Sequence, residues 1–217
     1  ISNFLAIKQA TIKLRRINVF IGPQAQGKSI ISKLIYFFKG FPSDVYDGAI
    51  EDKDKRQFDS GSRAKFEKIF PSYAWEKNPF LIVYDNGHHA IFIENKKVGA
   101  KLKFSISYTA SINKALNAGR KILRSQFDFE SEAGISNRTR PNVGRLVREA
   151  VTAIMFKNHD APRFDHLIYI PAGRSFFANL QRSLFSFISS NIPIDYFLKE
   201  FGSIYETTRE PMFLKQS

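Results

Sequence analysis

One eight-residue stretch, Gly22-Pro23-Gln24-Ala25-Gln26-Gly27-Lys28-Ser29, restricts the possible folds of this chain more than any other. It satisfies G-x-x-x-x-G-K-[ST] at every defined position, the pattern of a loop whose backbone N–H groups wrap phosphate oxygens. That mechanism needs a strand before the loop and a helix after it, so that the amides and the helix N-terminus converge on the anion. The flanks carry both patterns. Ile17-Asn18-Val19-Phe20-Ile21 is a short β-branched and aromatic run closed by Gly22, which reads as a buried central strand. From Ser29 the period becomes helical, with Ile30, Ile31, Leu34, Ile35, Phe37 and Phe38 crowding one side, and Gly40 and Pro42 marking the expected end.

Residue types then assign roles. Gly22 and Gly27 allow the tight wrap and the close backbone approach that a Cβ would obstruct. Gln24, Ala25, Gln26 and Ile30 complete the phosphate-binding stretch. Lys28 would set a flexible ammonium against the β- and γ-phosphates, and the Ser29 hydroxyl is the natural ligand for Mg²⁺, so Mg²⁺-ATP is the expected cofactor.

Composition narrows the class further. A chain of 217 residues with 43% hydrophobic and 24% charged residues can bury a substantial core, which excludes disorder. Without cysteine there is no disulfide framework and no thiolate chemistry. Lys and Arg outnumber Asp and Glu by 33 to 20, a net charge of +13, which points toward polyanionic partners: nucleotides, DNA or RNA. Twenty-two phenylalanines must fill a core or face a partner. No apolar run approaches the ~18–20 residues of a membrane span. The first residues lack the order of a signal peptide, so a cytoplasmic setting without membrane partners is expected.

The rest of the chain is organised around this unit. Residues 1–14 read as one or two strands, and 43–72 as a helix docked through Phe58, Phe66, Ile69 and Phe70. The charge run Glu51-Asp52-Lys53-Asp54-Lys55-Arg56 reads as solvated surface. Two apolar runs, Phe80–Tyr84 and His89–Ile93, flank Asp85-Asn86-Gly87, a strong hairpin signal, and Leu102–Tyr108 alternates as a further strand. The middle is thus an antiparallel β-meander. Residues 111–157 read as helix in two pieces broken near 134–141. His166–Pro171 reads as a return strand, and 175–201 as an aromatic-rich helical stretch. This gives a strand/helix unit with a β subdomain over 1–110, a helical insertion over 111–160, and a return strand with helices over 161–217.

On these residues the chain resembles a known class. Ile1-x-Asn3-Phe4, the run Ile17–Gly22 and the loop to Ser29 resemble the N-terminal lobe of ABC-type ATPases of the RecF, SMC and OLD class. They look like the bacterial "AAA family ATPase" branch of anti-phage defence systems, of PtuA and AriA type. The segment Tyr169-Ile170-Pro171-Ala172-Gly173-Arg174 is similar to a strand end of such ATPases. The resemblance implies an α/β fold with a P-loop NTPase, ABC-ATPase-like core, bearing the antiparallel meander and the helical insertion. It also implies ATP sandwiched between two heads, a homodimer or higher oligomer, and head association that gates an effector protein or a DNA transaction.

Parts of that class are missing. Leu81-Ile82-Val83-Tyr84-Asp85 imitates a Walker B strand, but Asn86 stands where glutamate is expected, and Asn86-Gly87 puts Asp85 in a turn. There is no signature segment and no switch histidine. The expectation is therefore an incomplete ATPase head, with its catalytic residues unassigned and its own enzymatic activity an open question.

Other residues carry weaker signals. Arg174, just past a strand end, is weighed evenly between a phosphate or nucleic-acid contact and a surface arginine. Gln181, in an apolar-periodic helix, reads as surface rather than as a glutamine sensing the γ-phosphate. His88 and His89 read as polar hairpin residues rather than metal ligands, and His159 and His166 as lone loop residues. Lys96, Lys97, Lys101 and Lys103 cluster about one hairpin. Arg120, Lys121, Arg124, Arg138, Arg140, Arg145 and Arg148 populate the helical section, and together these cations make a candidate nucleic-acid track. Two rival readings follow: a non-catalytic basic scaffold that binds nucleic acid by charge, and a P-loop kinase, against which the long antiparallel section argues.

Overall fold

The computed structural model describes residues 1–133, 140–156, 167–171 and 195–213. Residues Ile1–Asp165 form one compact unit and His166–Ser217 a second. The first unit is mixed α/β. Strands β1 (Ser2–Phe4), β2 (Ile7–Gln9), β3 (Phe80–Asp85), β4 (Ala90–Val98) and β5 (Lys101–Tyr108) form one sheet in the order β2-β1-β3-β4-β5, with every adjacent pair antiparallel. Helices α1 (Lys28–Ile50) and α2 (Lys55–Ile69) pack on it, α3 (Ala110–Ala133) and α4 (Arg140–Met155) pack on each other and on α1, and a short 3₁₀ turn spans Ser72–Ala74.

The hairpin forms where the turn chemistry predicts it. Ala90 pairs with Asp85 and Ile93 with Ile82, and Gly87 (φ +81°) occupies the left-handed position in the turn. The alternation of β5 places Phe104 and Ile106 opposite Asn95 and Ile93. Asn95 is buried on this inner face because its Nδ2 donates to the carbonyls of Glu76 and Asn78, at 3.0 and 2.9 Å.

Phenylalanine makes the core. Phe4, Phe37, Phe41 and Phe66 are fully buried. The Phe66 ring meets Phe37 edge-on at 5.5 Å and lies 5.6 Å from Phe104, while Phe4 lies 4.8 Å from Phe80. Aromatic pairs at such separations add to the free energy of area burial. The capping box of α2, in which the Asp54 side chain accepts from Gln57 N and the Gln57 side chain accepts from Asp54 N, fixes where the docked helix begins.

Helix α1 differs from the sequence expectation. It runs 23 residues, through Gly40 and Pro42, to Ile50. Proline removes one backbone donor from a helix, yet the turns beyond it bury Val45 and Ala49 completely, and that packing outweighs the local penalty. The second half of α1 also carries the helical layer. At Gly119 of α3 a Cβ would lie 2.7 Å from the Ala49 methyl and 3.0 Å from Val147 of α4, so only glycine lets the three helices meet there.

The charge run between α1 and α2 is a joint as well as a surface. Asp52, in the left-handed region at φ +52°, accepts from Arg120 Nε at 2.9 Å and from Arg124 Nη2 at 2.9 Å. These bonds, Arg124's first, hold the Asp52 carboxyl below the usual aspartate range. Two arginines of the expected basic track are thus engaged within the fold.

In the second unit, Leu167–Pro171, where the sequence suggested a return strand, belongs to no strand among the described residues. Its Tyr169 ring lies 4.1 Å from Phe197, which is buried on helix α5 (Tyr196–Phe213).

Candidate phosphate-binding loop

Residues 23–27 turn tightly into α1. Gly27 is the N-cap at φ +87°, ψ +6°, a left-handed conformation that strains any residue with a Cβ. Space selects glycine as well, because a Cβ at position 27 would lie 2.7 Å from Ile7 Cγ1 of β2. The glycine therefore lets the loop sit directly on the small β1–β2 hairpin. Ala25 also lies at positive φ, +60°.

The helix start is electrostatically open. No side chain caps α1, and its first turn holds no acidic residue. Its first amides and the positive end of a 23-residue helix dipole therefore face the loop without a built-in anion. Ser29 is exposed at this terminus, and Ile30 is half-buried. Lys28 folds back over the loop, its Nζ donating to Gly22 O at 2.7 Å and to Pro23 O. The ammonium is held above the turn by two carbonyls, which it can exchange for phosphate oxygens. Gln24, Ala25 and Gln26 are exposed around it.

This donor set fits a phosphate group: uncapped helix amides, one tethered ammonium and no competing carboxylate. For Mg²⁺ the protein offers one exposed hydroxyl, Ser29. Among the described residues no group of three His, Cys, Asp or Glu side chains stands in metal-binding proximity, so an ion here would depend on nucleotide oxygens and water for its other ligands.

The strand expected before the loop is not present. Ile17, Val19 and Ile21 are 79%, 75% and 91% exposed, and Ile17–Ile21 pairs with no strand among the described residues. A local cause is visible. Asn18 accepts from Arg15 N at 2.9 Å and donates to Arg15 O at 2.8 Å, a side-chain turn at the start of the run. Chain compatible with a buried strand is thus left solvated beside the loop.

Known protein families, curated proteins and solved structures offer no match to this chain.

The remaining sequence candidates separate clearly. Asp85 ends β3, and its Oδ1 accepts from Gly87 N at 2.7 Å, so it serves the hairpin turn. It also borders an apolar groove of about 340 Å³ with Ile31, Ile35 and Phe38, but no residue from Gly22 to Ser29 lines that groove. His89 is buried, and its Nδ1–H donates to the Met155 carbonyl at 3.3 Å; burial lowers its pKa. Asn86 Oδ1 accepts from the backbone N–H groups of His88 and His89, both at 2.9 Å. His89 is thus held within the fold, while His88 is exposed and gives its backbone N–H to the turn. Arg174, Gln181, His159, His166 and Arg138 lie outside the described residues.

The basic track divides in two. Arg120 and Arg124 bind Asp52, Arg145 pairs with Glu149 at 3.6 Å, and Arg148 lies 5.3 Å from the Tyr46 ring. The hairpin lysines stay exposed. Sequence reading missed this division, since Asp52 is 68 residues from Arg120 and nothing local announces their pairing.

Proposed function

We propose that the loop Gly22–Ser29 binds the phosphates of Mg²⁺-ATP, and that the chain acts as part of an ATPase head in the manner of the RecF, SMC and OLD class. The observation that carries this reading is the left-handed Gly27 N-cap, seated on Ile7 at the uncapped start of α1, with Lys28 folded over the same turn. Backbone amides and the helix terminus would hold the phosphates, Lys28 would exchange Gly22 O and Pro23 O for their outer oxygens, and the Ser29 hydroxyl would be the side chain offered to Mg²⁺. The ion, when bound, screens the phosphate charge.

Hydrolysis needs groups that the described residues do not place at the loop, since Asp85 is committed to its turn. A second head would supply them, so nucleotide binding would drive association and gate an effector protein or a DNA transaction, in a cytoplasmic and anti-phage setting. Among the described residues no helix is long and apolar enough to cross a membrane. The test measures ATP binding and ATP turnover on the same purified chain. Binding with negligible turnover is expected; brisk turnover by the chain alone would contradict the need for a second head, and absence of binding would remove the ATP reading. The exposure of the hairpin lysines keeps the basic scaffold as the second reading.

A further inference from the structure

The β4–β5 hairpin is longer than the sheet that carries it. Pairing of β3 with β4 ends at Phe80↔Asn95, whereas β4 and β5 continue through Lys96↔Lys103, Lys97↔Leu102 and Val98↔Lys101. Three residue pairs project past the sheet edge as a free two-stranded ribbon, roughly 10 Å at the usual rise per residue. Residues 96–103 hold four lysines and no acid. Lys96 and Lys103 stand directly opposite one another, an arrangement of like charges that weakens a ladder. Lys96 reaches Glu94 at 2.8 Å, but among the described residues Lys97, Lys101 and Lys103 form no ion pair. A ribbon that concentrates uncompensated charge at its own expense departs from the local rules of sheet design, as functional sites do.

Geometry selects among polyanions. By strand alternation Lys96, Lys101 and Lys103 project from one face of the ribbon and Lys97 from the other. A membrane plane meets one face at a time, whereas the phosphate rows on the two walls of a DNA groove meet both. The major groove of B-form DNA, about 12 Å wide, admits a two-stranded ribbon, while the deep, narrow major groove of A-form RNA does not. Lysine is a flexible point charge without a planar fork, so contacts of this kind hold backbone and read no sequence. We infer that the lysine-tipped hairpin Lys96–Lys103 docks into the groove of duplex DNA as a sequence-independent backbone clamp. The inference does not depend on nucleotide binding at Gly22–Ser29.

The experiment measures binding of the full chain to a 30-base-pair DNA duplex by fluorescence anisotropy across a salt series. Lys96→Gln, Lys97→Gln, Lys101→Gln and Lys103→Gln are combined in one variant. A control variant carries Lys8→Gln, Lys39→Gln, Lys68→Gln and Lys114→Gln, the same charge change at exposed positions elsewhere. Each phosphate contact contributes about 0.9 to the slope of log K against log salt. The hairpin variant should lower that slope by about 3 and weaken binding by about 100-fold or more near 0.1 M salt, with circular dichroism unchanged, while the control keeps most of both. Equal losses in the two variants would overturn the inference, as would absence of duplex binding by the unmodified chain. Equal affinity for a 30-base-pair RNA duplex would overturn groove docking. Stronger binding to phosphatidylserine vesicles than to the duplex would replace it with a membrane reading.

Discussion

Gly27→Ala perturbs the loop at the point where conformation and packing coincide. At φ +87° an alanine pays roughly 1–2 kcal/mol for the left-handed conformation. Its methyl would also lie 2.7 Å from Ile7 Cγ1, an atom near the root of a buried side chain that cannot swing aside. Overpacking of this kind costs about 1–3 kcal/mol. The sum, about 2–5 kcal/mol, should lower the melting temperature by roughly 4–20 °C in a chain of this size. Urea unfolding provides the assay, and a double-mutant cycle separates the two causes. Ile7→Ala removes Cγ1, so in that background Gly27→Ala should retain only the conformational penalty of about 1–2 kcal/mol. A cost below about 0.5 kcal/mol in the natural chain, or the same cost in both backgrounds, would refute the claim that the loop rests on Ile7.

Two further predictions concern the core. Phe66→Ala should destabilise the first unit by about 3–5 kcal/mol in urea unfolding, because the ring is fully buried against Phe4, Phe37, Phe70, Trp75 and Phe104; a loss under about 1 kcal/mol would contradict a shared aromatic core. Burial depresses the pKa of His89, so the unfolded chain binds the proton more readily and stability falls with pH. That loss begins as pH drops through about 6.5, the unfolded value, and ends below the depressed folded one. His89→Gln should flatten this part of a melting-temperature profile, and a profile unchanged by the substitution would show that the neutral ring contributes nothing.

What the sequence announced and what it concealed have physical causes. The hairpin at Asn86-Gly87, strand β5 and the amphipathic helices were legible because their signals are local: turn chemistry, alternation and helical period. Pro42 misled because tertiary burial of Phe41, Val45 and Ala49 overrode a local stop signal. Ile17–Ile21 misled in the opposite direction: its composition suits a buried strand, but a strand needs a neighbour, and Asn18 closes a turn where the ladder would begin. At the loop itself, the pattern from Gly22 to Ser29 was readable, but the contact with Ile7 that makes Gly27 irreplaceable lies twenty residues upstream, beyond any local signal.

The central claim is that Lys28 and its loop bind nucleotide phosphates. Lys28→Ala tests it directly, because among the described residues the ammonium's hydrogen-bond partners are the loop carbonyls of Gly22 and Pro23, so the variant should retain its circular dichroism. Mg²⁺-ATP affinity measured by isothermal titration calorimetry on both proteins should fall by at least about tenfold, the loss expected when one charge-assisted contact of about 1.5–3 kcal/mol is removed. Unchanged affinity in a folded variant, or no measurable affinity in either protein, would contradict the account.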